Sequence, residues 1–386
     1  MIVRQFISWV RHAPAAERVD ATRSLARAWL LSDLSTDDRA AAEGALLMML
    51  DDPSAHVRRA MAEVFASSTS APAAIVQALS TDQVSVALPI LEHSPLLIDA
   101  DLVDLVATGC SAVQCAIARR TALPASVSAA IAEVGAADAA LALIENPYAE
   151  LLPFSWDRIV ARHGHHAAIR DTMLQLEGLP AATRLALIAK LSETLARFVV
   201  GKNWLSADRA ARVTSEACDR SVVNIASRAR GDDMRALVRH LQATGQLTAG
   251  LILRALLSGN AELFDHALVE LSGLPASRVA SLLDHADDTS LRALLSRAGL
   301  PDSTVPAFAA ALSARDEVGF ASTVGGAARL RRRMVERVLT ACELDPETEE
   351  PLLILLRRFA TESAREEARL FCDELANEAA LDRIAA

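Results

Sequence analysis

Apolar residues recur at helical spacing along nearly the whole chain, and short polar segments with proline or glycine separate the apolar runs. Residues 55–66 show the pattern clearly, because Val57, Met61 and Phe65 fall on one face of a helix. In the first part of the chain the runs predict helices of roughly ten residues joined by tight turns. From residue 181 onwards they predict longer helices.

A regular step divides the first part of the chain into helical hairpins. The second helix of each hairpin is predicted to begin near Ser54, Gln83, Ser111, Ala136 and His165. The intervals of 29, 28, 25 and 29 residues between these starts suit two helices of about ten residues and two short turns. Such a recurrence is typical of a solenoid, in which each hairpin packs on the next.

A different marker appears later, where the tripeptide Gly-Leu-Pro occurs at 178–180, 273–275 and 299–301. Glycine can end a helix in a left-handed cap, and proline suits the first turn of the next helix. The marker therefore predicts a second helical array. Beyond it, Gly319 and Gly325 stand among few large apolar residues and predict a loose linker.

The sequence thus predicts four regions. The last region would contain three helices, and the third of these would begin at a capping box formed by Ser363 and Glu366. The four regions are a helical-repeat array over 1–172, a second helical array over 173–312, a loose linker over 313–328 and C-terminal helices over 329–386.

The composition favours an all-helical protein. Apolar residues make up 52% of the chain but aromatic residues only 4%, so the core must consist of Ala, Leu, Val and Ile. Alanine is the strongest helix former. The fold class predicted is all-α, an α-solenoid of short hairpins followed by the second helical array and the C-terminal helical segment.

The formal net charge of −10 argues against a dedicated nucleic-acid-binding protein, which needs a concentrated basic face. The five cysteines are scattered, which fits a reducing cytoplasm better than a disulfide framework. The first residues lack the apolar core of an export signal, and no stretch has the ~18 apolar residues of a membrane-spanning helix. We expect a cytoplasmic protein that needs no cofactor.

Asp52-Pro53, followed by Val57-Arg58 and a helix, resembles the HEAT-repeat pattern. In that family the Asp–Pro pair makes the turn inside a repeat, and the arginine bonds an aspartate of a neighbouring repeat. The resemblance implies HEAT-like hairpins over 1–172. Gln114 stands where the arginine would recur, so a continuous ladder of Asp–Arg pairs is not expected.

Two further stretches resemble a family of uncharacterised alphaproteobacterial proteins, a domain of unknown function. The first is Val86–Leu96 with Ile117–Arg120, and the second is Ala255–Phe264 running into the Gly-Leu-Pro of 273–275. The resemblance covers residues 80 to 310. It implies a HEAT-like helical-repeat protein, and it supplies no catalytic residue because no activity is established for the family.

Two sites have residues that could carry chemistry. His163, His165 and His166 form the densest cluster of metal-ligand side chains, but no carboxylate or cysteine stands at ligand spacing, so we interpret the cluster as a polar turn. Cys110 precedes a predicted helix, whose N-terminus would lower the pKa of the thiol. We interpret Cys110 as a small packing residue and predict no metal site.

The remaining candidates are arginines. Four of them are predicted to line the concave side of the repeat array as a partner-binding strip: Arg58, Arg59, Arg119 and Arg120. The basic run from Arg329 to Arg337 could bind phosphates. Pairing of that run with the acidic stretch 343–378 is the simpler interpretation.

We predict a non-enzymatic adaptor or regulatory scaffold that binds a protein partner, because stacked hairpins expose a broad groove and no nucleotide-binding or hydrolase motif is present. The alternative is a nucleic-acid-binding protein that resembles bacterial alkylpurine glycosylases, with Trp156 and Asp157 as aromatic residue and acid. A third reading is a HEAT-like lyase or cofactor chaperone. The C-terminal helix, with Phe371 and Leu375 on one side, is a candidate for homo-oligomer formation.

Overall fold

The computed structural model describes residues 6, 8–10, 12–284, 288–318, 326–345 and 348–385, with side chains except at 288, 316–318, 326–327, 374 and 376–385. In this part of the chain the fold is all-α, as predicted, and the sole β feature is an isolated bridge between Leu123 and Ala149. None of the helices described is both long and apolar enough to cross a membrane. The chain forms two compact units, residues 1–179 (unit 1) and 180–386 (unit 2).

Unit 1 consists of short helices joined by tight turns. The second helices of its hairpins begin within two residues of the predicted positions, so the repeat step is confirmed. The helices are α1 (Ala15–Leu31), α2 (Thr36–Met49), α3 (Ala55–Phe65), α4 (Ala73–Ser80), α5 (Val84–His93), α6 (Asp99–Thr108), α7 (Ser111–Ala118), α8 (Ala125–Val134), α9 (Ala137–Glu145), α10 (Pro153–His163) and α11 (Ala167–Gln175).

These helices stack in two layers. In one layer α1, α3, α5, α7, α9 and α11 each pack against the next, and in the other α6, α8 and α10 do so. Large apolar side chains such as Met61, Phe65 and Ile90 are fully buried along the stack, and Trp29 meets Phe65 edge-on with ring centroids 6.1 Å apart. Each hairpin therefore buries its apolar face against its neighbours.

Local sequence explains most helix boundaries in unit 1. Ser35 caps α2, because its Oγ accepts the Asp38 N–H. Ser54 makes no side-chain cap on α3; instead the carboxylate of Asp52 accepts the Ser54 N–H at 2.8 Å. Pro89 does not break its helix, since α5 continues through it with Val86 and Ile90 buried on either side. Packing of the neighbouring apolar residues outweighs the missing hydrogen bond.

Unit 2 has longer helices and two connected cores. Leu185, Val222 and Leu237 lie in the first core, and Phe264 and Phe308 lie in the second, which extends to α21. The helices are α12 (Ala181–Gly201), α13 (Ala207–Ala226), α14 (Gly231–Ala243), α15 (Ala249–Leu257), α16 (Ala261–Ser272), α17 (Ala276–Asp284), α18 (Asp288–Arg297), a 3-10 turn (Asp302–Thr304), α19 (Val305–Val318), α20 (Gly326–Leu344) and α21 (Glu350–Ala385).

The Gly-Leu-Pro marker ends a helix in a left-handed cap, as predicted, at two of its three sites. Gly273 and Gly299 adopt the left-handed conformation, with φ of 66° and 74°, and each follows a helix end. Gly178 does not have a positive φ and lies in the turn that follows α11.

The structure differs from the sequence prediction in the C-terminal third. The predicted linker 313–328 is helical at both ends, 313–318 and 326–328, and its middle, 319–325, lies outside the described residues. The alanine-rich end of α19 is helical because Ala311 and Ala314 are buried in the core. The core itself includes residues from before and after this segment.

The predicted capping box at Ser363 is wrong, because α21 is one continuous helix from Glu350 to Ala385. Ser363 is buried in the middle of it, and its hydroxyl donates to the Ala360 carbonyl at 3.0 Å. A serine that bonds its own preceding turn satisfies its hydroxyl without ending the helix. Neither glycine nor proline interrupts the sequence between 352 and 385.

Candidate functional site

Arginine–aspartate pairs join successive hairpins at the start of unit 1. Arg58 donates to both carboxylate oxygens of Asp82, at 2.6 and 3.0 Å, as the HEAT resemblance implies. Arg18 makes the same bidentate contact with Asp52, at 2.8 and 2.9 Å. The Asp52 carboxylate is buried and the Asp82 carboxylate is half-buried, and Arg58 also donates to the Asp52 carbonyl. These arginines hold the stack together, so they are not open to a partner.

These contacts keep both aspartates ionised. Burial on its own would raise the pKa of Asp52, but the hydrogen bonds from Arg18 and from the Ser54 N–H outweigh it and leave the pKa lowered. At Asp82 the hydrogen bond from Arg58 is the largest influence, and it lowers the pKa of the carboxyl against the effect of burial.

Gln114 continues the series of joints in place of an arginine. Its side-chain amide donates to the Val106 carbonyl at 3.0 Å and its oxygen accepts the Ala136 N–H at 2.9 Å. The glutamine on α7 thus links α6 to Ala136, the residue just before α9. A neutral amide serves here because both of its partners are backbone groups.

Arg120 is buried and also has a structural role. It donates to the carbonyls of Leu91 and Ser94 at 2.7 and 2.6 Å, and burial lowers its pKa. Of the predicted strip, Arg58 and Arg120 are therefore inside joints of the stack. Arg59 is exposed and pairs with Glu63 at 3.0 Å, and Arg119 is exposed. The four arginines do not form one open strip, and a partner contact by Arg59 or Arg119 stays a prediction.

A rigid loop with exposed aromatic side chains follows α9. We call residues 146–154, which include the first two residues of α10, the aromatic loop. Tyr148 is 63% exposed, Leu152 56% and Phe154 62%. The amide of Asn146 anchors the loop by donating to the carbonyls of Ala118 and Arg120 at 2.7 and 2.8 Å, while its oxygen accepts the Tyr148 N–H at 2.9 Å.

A short backbone pairing fixes the other side of the aromatic loop. The Glu150 N–H donates to the Leu123 carbonyl at 3.0 Å, and the Leu123 N–H donates to the Tyr148 carbonyl at 3.5 Å. Sequence reasoning missed this loop. Its signal was Asn146-Pro147 directly before the chain's only tyrosine, since asparagine often stabilises a turn through its side chain.

The histidine cluster is a turn, as interpreted from the sequence. His163 is buried at the end of α10, and its Nε2 lies 3.1 Å from the Gly135 carbonyl. Burial lowers its pKa, and Arg162 and the two other histidines act in the same direction. His165 and His166 stack with ring centroids 4.2 Å apart. Within the described residues no group of three ligand side chains could hold a metal ion.

Two other sequence candidates lie at the surface of unit 1. Cys110 is exposed, so its interpretation as a small packing residue is wrong. The N–H groups of Val113 and Ala112 at the start of α7 lower the pKa of its thiol. Trp156 is half-buried on α10 and Asp157 is exposed beside it. Neither residue lines the cavity between α12 and α13 or the pocket beside Trp9.

The basic run of α20 pairs with the acidic stretch of α21, and this prediction is confirmed. Arg331 contacts Glu366 at 2.5 Å, and Arg332 contacts Glu367 at 2.8 Å. Arg329 also reaches Glu367, at 3.8 Å. The guanidinium groups that could bind a phosphate are therefore already paired with carboxylates.

A cleft of about 810 Å³ separates parts of α12 and α13 in unit 2. Small residues such as Ala189, Ser192 and Ala210 form most of its walls, and Cys218 and Asp219 lie along one of them. Burial raises the pKa of Asp219, and the charges of Arg254 and Arg358 only partly offset this effect.

Next to this cleft, Arg254 fixes α21 to the rest of unit 2. The guanidinium is 9% exposed, donates to both carboxylate oxygens of Glu362 at 2.9 Å and lies 4.3 Å from the centre of the Phe359 ring. Arg358 of the same helix contacts Glu216 of α13 at 2.7 Å. The charged groups near the cleft are thus engaged with one another.

The fold and its joints define an all-helical protein built from packed hairpins. Comparison with known families gives its membership: residues 86–345 match a family described as uncharacterised proteins conserved in bacteria (DUF2336), and the chain belongs to it. No curated protein and no solved structure matches the chain. The matched residues include the aromatic loop and the α12–α13 cleft.

Proposed function

We propose that the chain is a non-enzymatic helical-repeat protein that binds a protein partner through unit 1, as an adaptor or regulatory scaffold. The observation that supports this function is the aromatic loop. In a chain with 4% aromatic residues, Tyr148 and Phe154 are both more than 60% exposed and stand six positions apart. Tyrosine and other aromatic side chains carry much of the binding energy at protein interfaces.

The rigidity of the aromatic loop strengthens the proposal. Asn146 ties the loop to the end of α7, and Arg120 ties that same segment to the carbonyls of Leu91 and Ser94. A loop that is already ordered loses little conformational entropy when a partner binds, so more of the contact energy appears as affinity. A scaffold that positions such a loop is a common arrangement for recognition.

Further parts of the proposal go beyond the family description. They are a cytoplasmic location, a range within alphaproteobacteria, a partner contact by the exposed Arg59 and Arg119, and homo-oligomers formed through α21, where Phe371 and Leu375 are half-exposed. Two of these statements concern where the protein occurs and two concern its surface, and none assigns a catalytic residue.

Site-specific photo-crosslinking in cells tests the function. A photoreactive phenylalanine at position 154 should give one discrete crosslinked protein, and the same group at the control position Leu31, which is 83% exposed on α1, should not. The substitutions Tyr148→Ser and Phe154→Ser together should weaken capture of that protein at least about tenfold. Equal products at positions 31 and 154, or none at either, would refute partner binding through the loop.

A further inference from the structure

A second exposed surface lies in unit 2, on a helical arm that extends beyond the core. The arm comprises residues 188–221, the end of α12 and most of α13, and the only buried residue in it is Ala210. At the base, Leu185 and Val222 belong to the core of unit 2. The arm is therefore anchored at one end and leaves its side chains in contact with solvent.

Large apolar side chains collect toward the far end of the arm. We call residues 195–213 the arm tip. Leu195 is 52% exposed, Phe198 51%, Trp204 67% and Val213 49%. Phe198 and Trp204 meet edge-on with ring centroids 5.6 Å apart. Exposed large apolar groups that lie together mark an interaction surface.

The backbone of the turn presents Trp204 rigidly. Asn203 adopts the left-handed conformation with φ of 57°, which ends α12 sharply. The N–H groups of Asn203 and Trp204 donate to the carbonyls of Val200 and Val199 at 2.9 and 3.0 Å. The tryptophan is thus held outward at the apex by main-chain bonds.

The arm tip is positively charged in an acidic protein. It carries four cations and the single acid Asp208, a net charge of +3, whereas the whole chain carries −10. The cations are Arg197, Lys202, Arg209 and Arg212, all exposed. Lys202 lies 5.9 Å from the centre of the Phe198 ring. The guanidinium groups of Arg209 and Arg212 have no ion pair with any described residue.

We propose that the arm tip docks on the surface of an anionic lipid bilayer. Tryptophan and phenylalanine favour the headgroup region, and cations around them attract acidic lipids, each adding about fivefold to binding. Phe198 and Trp204 lie outside the α12–α13 cleft, although Arg197 and small residues of the tip line it. A protruding aromatic apex fits a flat bilayer, whereas an acidic peptide would need a groove to bury its own side chains.

Vesicle flotation of the full chain tests the docking. The protein should float with vesicles of 70% phosphatidylcholine and 30% phosphatidylglycerol and remain behind with pure phosphatidylcholine. Lys202→Ser with Arg209→Ser should lower partitioning about 25-fold, and Phe198→Ala with Trp204→Ala should lower it at least about tenfold. The matched control Tyr148→Ala with Phe154→Ala, equally exposed in unit 1, should bind as wild type does.

Fluorescence distinguishes insertion from simple charge attraction. The difference between the emission of wild type and of Trp204→Phe isolates one tryptophan of four, and it should shift to shorter wavelength on the anionic vesicles. Binding without this shift, equal binding by the tip variants, or no preference for anionic vesicles would each overturn the proposal. So would tip-dependent binding to soluble polyglutamate in a protein that ignores vesicles, since the occupant would then be an acidic polypeptide.

Discussion

Units 1 and 2 are both all-helical, but the contacts that stabilise each unit internally span very different distances in the sequence. In unit 1 the joints link residues of adjacent hairpins: Arg58 and Asp82 are 24 positions apart, and Arg120 and Leu91 are 29. In unit 2 the corresponding contact joins Arg254 to Glu362, 108 positions away. The comparison indicates that unit 1 is stabilised neighbour by neighbour, whereas unit 2 depends on its last helix to complete the core.

The two units also satisfy their buried polar groups differently. Unit 1 uses Arg120, Gln114 and Asn146 to bond main-chain carbonyls at the hairpin joints. Unit 2 pairs arginine with glutamate at positions where the carboxylate keeps some contact with water, as Glu362 does at 28% exposure. Removing a partner is therefore expected to be more harmful in unit 1, because water cannot replace it there.

Substitutions in the two cores are expected to show the largest difference between the units, in how far the loss of hydrogen-exchange protection spreads. Phe65→Ala in unit 1 and Phe264→Ala in unit 2 each remove a fully buried ring and should cost about 4 kcal/mol. Hydrogen exchange measured by mass spectrometry should show loss of protection after Phe65→Ala that is greatest in α1, α3 and α5. After Phe264→Ala the loss should extend across α15 to α21, because they share one core.

A buried thiol gives a second readout of the Phe264 variant. Burial raises the pKa of Cys342 to about 11, so the thiol should react at pH 8 only when unit 2 opens. With the other four cysteines replaced by serine, Phe264→Ala should speed labelling about a thousandfold, while Phe65→Ala should leave it nearly unchanged. Exchange confined to α16 and α19, with Cys342 still protected, would contradict the one core that α15 to α21 share.

Substitution of the arginines at the joints should give the next largest difference in stability between the units. Arg120→Met leaves the carbonyls of Leu91 and Ser94 without their donors in a buried site, which should cost about 3 kcal/mol. Arg254→Met should cost about 2 kcal/mol, because Glu362 can turn to water. The exposed neighbour Arg119→Met is the control and should change stability by less than about 0.5 kcal/mol.

Urea unfolding of the three variants measures these differences. Equal losses for Arg120→Met and Arg119→Met would show that the buried joint adds nothing. A larger loss for Arg254→Met than for Arg120→Met would reverse the comparison between the units.

Local patterns in the sequence were enough to predict the hairpins of unit 1, because ten-residue helices with one apolar face leave a period that can be read directly. The turn at Asp52-Pro53 and the partner of Arg58 also followed from a short motif. The role of Arg120 did not, since an arginine that bonds backbone carbonyls 26 to 29 residues earlier has no sequence signature.

Prediction was poorer in unit 2 because its decisive contacts are distant in sequence. Ser363 and Glu366 fit a helix start locally, but pairing of Glu362 with Arg254 and burial of Ser363 keep α21 continuous. The arm tip was missed for another reason. Along α13 its arginines are interleaved with acids, a pattern typical of a paired, solvated helix face, whereas Arg209 and Arg212 form no ion pair with a described residue.

Acidification should give the smallest change in stability, and the change should differ in sign between the two units. In unit 1 the pKa values of Asp52 and Asp82 are lowered by their arginines. Their stabilisation is therefore complete above the unfolded pKa of about 3.9 and is lost as pH falls through the folded pKa. In unit 2 burial raises the pKa of Asp219, so lowering the pH through that value relieves a penalty and stabilises the folded state.

Exchange protection, corrected for the intrinsic effect of pH, should therefore hold or rise in α12 to α15 between pH 7 and pH 4, while α1 to α5 stay constant until about pH 4 and then lose protection. Asp219→Asn should remove the gain in unit 2, and Asp52→Asn should weaken unit 1 at pH 7 and flatten its loss in acid. If α1 to α5 lost protection already between pH 7 and pH 5, their carboxylates could not have lowered pKa values, and this part of the stack would have to be held by its apolar faces rather than by its arginine–aspartate joints.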